Sequence, residues 1–126
     1  MSVTTGLGFD EAVAATRDAL SAEGFGVLTE IDLAATLKSK LDADLTPYLI
    51  LGACRPPLAY AAVQADASIG TLLPCNVVVR VDGADTVVEA MDPGLISQMS
   101  GGQALAEVTG DARERLTRVL DAVAAR

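Results

Sequence analysis

One β-hairpin constrains this chain more than any other feature of its sequence. Residues 75–81 and 86–91 are two runs rich in valine, and Asp82-Gly83-Ala84-Asp85 between them is typical of a turn. β-Branched side chains favour extended backbone, and a connection this short joins antiparallel strands. The hairpin therefore commits the chain to an antiparallel sheet, on which the remaining segments must pack.

Apolar residues at helical spacing predict two long helices, at residues 9–22 and 103–125. Two shorter helices are predicted at residues 33–41 and 57–65. Asp32 stands immediately before the first of these, in the position of a helix cap. Both long helices carry an apolar stripe on one side, so we expect both to cover the same sheet.

The remaining segments are strands, turns and loops. Strands are predicted at residues 2–5, 25–31 and 48–54. The last of these is a continuous apolar run, which is typical of a strand buried on both faces. We expect a loop at 66–70, a short turn at 93–99 and a hinge at Gly101-Gly102, and Gly110 is expected to bend or break the final helix.

The resulting order is β-α-β-(α)-β-(α)-β-β-α. This order predicts one α+β domain over residues 1–126, with a mainly antiparallel sheet, two long helices on one face and short helical insertions. The apolar content of 51% is enough for a packed core, and with an aromatic content of 3% that core must be aliphatic.

Charge and composition exclude several classes of function. The net charge of −8 repels phosphate backbones, and no cluster of lysine and arginine offsets it, so we expect neither nucleic-acid nor membrane binding. No signal peptide or membrane-length apolar run is visible, which predicts a cytoplasmic protein with its two cysteines reduced. Because histidine is absent, we expect a non-enzymatic protein without a metal or another cofactor.

Three separated segments resemble one known family. They are Gly-Phe-Gly-Val-Leu-Thr-Glu-Ile-Asp at 24–32, Leu-Gly-Ala-Cys-Arg-Pro-Pro-Leu-Ala-Tyr at 51–60 and Leu-Leu-Pro-Cys-Asn-Val-Val-Val at 72–79. They are similar to the domain of unknown function 302 family, DUF302, which is bacterial and archaeal. The resemblance implies a TATA-box-binding-protein-like β-α-β4-α fold, a homodimer and no established reaction.

The candidate binding residues lie inside two of these segments. They are Cys54, Arg55, Pro57, Tyr60, Cys75 and Asn76. Cys54 precedes a predicted helix, whose N-terminal dipole lowers the pKa of a nearby thiol, and Arg55 adds a positive charge. Cys75 stands where the next strand begins, so both thiols are placed at strand ends.

Three functions fit these positions. The first is a non-enzymatic homodimer that binds a small molecule or a partner around Cys54, Pro57, Tyr60 and Cys75. The second is a thiol-based redox or sulfur-handling protein, in which Cys54 is the nucleophile and Cys75 resolves it. The third is a purely structural or assembly role, in which both cysteines are small buried hydrophobic residues.

Overall fold

The computed structural model describes residues 1–99 and 102–126, and its centre is one five-stranded sheet. The strands are β1 (Ser2–Thr5), β2 (Gly26–Asp32), β3 (Tyr48–Cys54), β4 (Cys75–Asp82) and β5 (Asp85–Ala90). Their order across the sheet is β1-β5-β4-β3-β2, and every neighbouring pair is antiparallel. The predicted hairpin forms the centre of this sheet as β4 and β5.

The helices divide into two long ones that pack on the sheet and three short ones in its connections. They are α1 (Phe9–Ala22), α2 (Leu33–Leu41), α3 (Pro56–Ala65), α4 (Gly94–Met99) and α5 (Gln103–Ala124), with a 3₁₀ helix at Ala67–Leu72. α1 and α5 pack against each other and against the sheet. The predicted α+β arrangement is therefore confirmed. Within the described ranges, no helix is long and apolar enough to cross a membrane.

Local signals explain where two of these helices begin and end. α1 carries Asp10 and Glu11 in its first turn, where the helix dipole favours carboxylates. It ends before Gly24, whose φ of +85° is accessible to glycine at little cost. α2 begins after Asp32, and Asp32 Oδ1 accepts a hydrogen bond from the backbone N–H of Ala35 at 2.9 Å. The predicted cap is thus confirmed.

The main core lies between one face of the sheet and the two long helices. Its fully buried members include Leu51, Val77 and Val88 from the strands, Leu20 from α1 and Leu116 from α5. Burying one such side chain contributes roughly 1.5–3 kcal/mol, so this layer supplies most of the driving force for folding. A smaller apolar cluster ties α3, the 3₁₀ helix and α4 to the start of α5. It consists of Ala62, Ile69, Ile96 and Leu105.

The structure differs from the sequence-based expectations in several segments, and the turn expected at 93–99 is the short helix α4. Residues 67–72 form a 3₁₀ helix rather than a loop, because Asp66 Oδ1 accepts from the N–H of Ser68 at 2.9 Å and starts a turn. α5 runs without a break through Gly110, since Leu105 before it is buried in the smaller apolar cluster and Leu116 after it is buried in the main core. Of the predicted hinge, Gly101 lies outside the described residues, and Gly102 is the N-cap of α5 with a φ of +132°.

The prediction that β3 is buried on both faces is wrong. Leu49, Leu51 and Ala53 are buried against the helices, whereas Tyr48 and Ile50 alternate with them and keep part of their surface in solvent. Both long helices lie on one face of the sheet, so they do not cover the side chains that point to the opposite face. The continuous apolar run therefore reflects a core face and an apolar outer face, rather than two helical layers.

Candidate functional site

The two segments that carry the candidate residues meet at one end of the sheet. β3 ends at Cys54 where β4 begins at Cys75, and the strands are antiparallel neighbours. Ala53 pairs with Cys75, and Gly52 pairs with Asn76. This end of the sheet is the candidate site that the sequence predicts.

Strand alternation separates the two cysteines at this end. Cys75 is 2% exposed and lies in the main core, on the same face as its partner Ala53. Cys54 follows Ala53 and so points to the opposite face, which it shares with Asn76. The structure thus brings Cys54 and Asn76 onto one surface and places Cys75 inside the core.

The electrostatic environment of Cys75 suits a buried structural thiol. Burial, with a smaller contribution from Cys54, raises the pKa of the Cys75 thiol to about 11. The nucleophile and the leaving group in thiol–disulfide exchange are thiolates, and this thiol stays protonated near neutral pH. No observation on the described residues favours the redox alternative.

Arg55 belongs to an ion-pair network on the helical side of the sheet. Its guanidinium lies 3.3 Å from Asp111 of α5 and its side chain is 16% exposed. Asp111 also accepts from Nε of Arg115 at 2.8 Å, and this hydrogen bond is the main cause of the lowered pKa of Asp111. Arg115 Nη1 donates to the backbone carbonyl of Glu23 at 3.2 Å. Arg55 therefore joins the start of α3 to α5 and the end of α1.

Pro57 and Tyr60 lie on the outward side of α3. Pro57 is exposed and Tyr60 is 71% exposed, so the tyrosine ring stands in solvent. α3 contacts α5 and the 3₁₀ helix through its other side, where Leu58 and Ala62 are buried. The structure therefore does not gather the six candidate residues into one pocket, and their binding role stays a prediction.

Gly52 permits a close approach next to Cys54. A β-carbon on Gly52 would overlap the side chain of Thr29 from β2 and would stand 2.7 Å from Cγ of Pro74. Thr29 and Pro74 can therefore close over β3 because position 52 has no side chain. Gly52 itself lies inside the strand β3, two residues before its end.

The face of the sheet opposite α1 and α5, called the outer face below, has three cross-strand rows and, at the hairpin end, the pair Asp82 and Asp85. The first row is Ile31, Ile50, Val78, Glu89 and Ser2; the second is Tyr48, Arg80, Val87 and Thr4; the third is Thr29, Gly52 and Asn76. Ile31 is 46% exposed, and Ile50 and Val78 are half-buried. Arg80 Nε donates to Glu89 at 2.8 Å within this face.

The outer face was not predicted from the sequence, although one signal for it is present. Arg80 alternates with the buried Val77 and Val79, and Glu89 lies between the buried Val88 and Ala90. Two opposite charges on facing strands of one hairpin place that side of the sheet outside the core. The pair of Arg80 and Glu89 therefore predicts a sheet with one face covered by helices and one face in solvent.

Three clefts open on the surface away from the six candidate residues, with volumes of about 420, 310 and 300 Å³. The second is lined by two of the four aromatic residues of the chain, Phe9 and Tyr48. It lies at the end of the sheet opposite Cys54, because Tyr48 begins β3 and Cys54 ends it. In residues 1–99 and 102–126, no three His, Cys, Asp or Glu side chains converge in a way that could hold a metal ion.

These features define a class of small α+β domain with two long helices on one face of an antiparallel sheet and an apolar outer face. The chain belongs to the DUF302 family, because the model of that domain of unknown function matches residues 1–123. A crystal structure of an uncharacterized conserved protein DUF302 from Bacillus stearothermophilus is similar, with a TM-score of 0.87 and 30% identity. The match covers 98% of this chain and 96% of that one. A search of curated proteins finds no match. The function of the family is unknown.

Proposed function

We propose that this chain is a cytoplasmic, non-enzymatic homodimer that binds a small molecule or a partner, and that two copies join through their outer faces. The observation that carries the proposal is the row of Ile31, Ile50 and Val78, which leaves apolar surface in solvent from the edge strand β2 to the central strand β4. An apolar centre with a polar rim is typical of protein interfaces, and Thr4, Thr29 and other polar residues form that rim.

Among the surfaces of this acidic chain, the centre of the outer face is one at which a second copy meets little charge repulsion. Two chains of net charge −8 repel each other over most of their surfaces. The three rows hold Arg80 and Glu89 as their charged side chains, and these pair at 2.8 Å. Asp82 and Asp85 carry further charge at the hairpin end of this face, so its centre is neutral and two faces that meet there add little repulsion.

The size of the outer face also agrees with a dimer interface. Five strands about 4.8 Å apart, each about six residues long at roughly 3.3 Å per residue, give a projected area of roughly 480 Å². Stable interfaces bury about 800 Å² of accessible surface per partner, and side-chain relief makes accessible area larger than projected area. Cys54 and Asn76, at one end of this face, would then border the space between two copies.

The test is a lysine substitution at the centre of the outer face, Val78→Lys. Glu89 is the direct cross-strand partner of position 78, so a lysine there is compatible with the folded chain. In a dimer the same lysine is buried at the interface, and we expect sedimentation to show one chain instead of two. Val63→Lys, at a 43% exposed position on α3, makes the same change of charge and should stay dimeric.

Ligand binding is measured on the same proteins. A ligand that binds the folded state raises the melting temperature, so a metabolite library is screened against the wild type and Asn76→Ala. We expect the variant to lose the shift. A monomeric wild type, or a Val78→Lys protein that stays dimeric, would contradict the proposed interface; dimerisation without any ligand would leave the structural role as the function.

A further inference from the structure

The cleft of about 310 Å³ between α1, α2 and the start of β3 combines aromatic and aliphatic side chains with one carboxylate. Its aromatic and apolar lining residues are Phe9, Ala34, Ala35, Leu45, Pro47 and Tyr48. The lining residue with a charge is Asp32. We propose that this cleft binds a small molecule with an apolar or aromatic body and one ammonium group.

The aromatic walls carry the first part of the argument. Aromatic residues make up 3% of the chain, and two of its four line this cleft. Tyr and Phe rings attract cations through their negative faces, and their apolar surface packs against the body of a ligand. A cleft of this size holds a ligand with one ring, whereas larger molecules extend into solvent.

Carboxylates at and near the cleft favour a cationic ligand. Asp32 uses Oδ1 to accept from the N–H of Ala35, and Oδ2 takes no part in that bond. Asp10 and Glu11 follow Phe9 in the first turn of α1. Asp32 lines the cleft, and Asp10 and Glu11 add negative charge from the first turn of α1 outside its lining; together they exceed the roughly one positive charge of the two helix N-termini.

Neither lysine of α2 lines this cleft, and Lys40 lines the neighbouring cleft of about 420 Å³. Lys38 pairs with Asp42 at 2.8 Å and with Asp44 at 3.1 Å, and these two carboxylates raise its pKa. The loop that leads to Leu45 therefore adds negative charge as well. The cleft attracts cations and repels anionic ligands of the same shape.

Three probes of similar size and different charge test the proposal by calorimetric titration: 2-phenylethylammonium, 2-phenylethanol and 3-phenylpropionate. We expect the ammonium compound to bind about tenfold more tightly than the alcohol, and the carboxylate to bind more weakly still. Asp32→Asn keeps the cap of α2, because asparagine caps helices as well as aspartate does, and it should remove about tenfold of the ammonium affinity. Tyr48→Leu should weaken the binding of every probe that the wild-type protein binds.

The matched control is Asp66→Asn. Asp66 caps the 3₁₀ helix through Ser68 just as Asp32 caps α2, and it lies outside the cleft, so this variant should bind the ammonium probe unchanged. Equal affinity for the three probes, no binding of the ammonium compound, or an unchanged Asp32→Asn protein would overturn the proposal. Cation binding that persists in Val78→Lys separates this site from the proposed dimer: Tyr48 belongs to both the outer face and the cleft, but every lining residue of the cleft comes from one chain.

Discussion

Individual residues in this protein derive their importance from what surrounds them, and Gly52 shows this most directly. The side chains of Leu49, Leu51 and Ala53 in the same strand are buried in the core, whereas position 52 is constrained by two groups that pack over it. Thr29 comes from β2 and Pro74 from the approach to β4. One missing side chain therefore lets three segments meet beside Cys54.

Gly52→Ala should destabilise the protein by about 1–3 kcal/mol, because the added methyl group overpacks this contact. The cost follows from Pro74 Cγ, which would stand 2.7 Å from the new carbon and belongs to a stiff ring. Urea unfolding of the variant measures the loss. Gly70→Ala is the control, since nothing lies within 4 Å of its β-carbon position, and equal stability of both variants would show that Thr29 and Pro74 move aside freely.

At the scale of elements, α5 shows how packing overrides a local preference. Glycine in a helix interior costs about 1 kcal/mol relative to alanine, and this predicts a bend at Gly110. The helix instead continues, because Leu105, Leu116 and Val123 on one side of it are all buried. The energy of those contacts exceeds the penalty of a single glycine by several kcal/mol.

Gly110→Ala should therefore stabilise the protein by about 0.5–1 kcal/mol, since the helix is already formed and the position is open to solvent. Gly24→Ala should act in the opposite direction and cost about 1 kcal/mol, because φ there is +85°. Free energies of unfolding in urea decide both signs. A loss of stability in Gly110→Ala would mean that α5 gains from flexibility at this position.

Most elements could be predicted from the sequence, because each has a local cause. Periodicity located α1 and α5, and the Asp82-Gly83 turn located the central hairpin. What a single strand cannot reveal is which of its faces a helix covers, since both sides of β3 are apolar. The candidate binding residues do not form one site for a related reason. Cys54 and Cys75 lie on neighbouring strands, but strand alternation turns their side chains to opposite faces of the sheet.

At the scale of the whole molecule, net charge and the outer face act against each other. Association brings two chains of −8 together, so long-range repulsion opposes the contact of two apolar faces. Salt reduces repulsion between exposed charges and leaves apolar contacts intact or strengthens them. The strength of the dimer should therefore depend on ionic strength.

Raising NaCl from about 0.05 to about 0.5 M should tighten the proposed dimer by roughly three- to tenfold, because screening shortens from about 14 Å to about 4 Å. Sedimentation equilibrium at the two concentrations gives both dissociation constants. Val63→Lys carries less negative charge and should respond less. A dimer that weakens in salt would point to ion pairs across the interface and against contact through the neutral centre of the outer face.

The position of α5 in the chain also affects how this protein is made. α5 contributes Leu116, Leu120 and Val123 to the main core and contacts both α1 and β1, yet it is translated after all of them. On the ribosome, β1 emerges about eighty residues before its partner β5, and α1 emerges about eighty residues before α5. Until then the nascent sheet has apolar surface on both sides, one of which the proposed dimer covers only after release. A polypeptide with this order of contacts depends on its last helix, and during synthesis it is in most need of protection by chaperones.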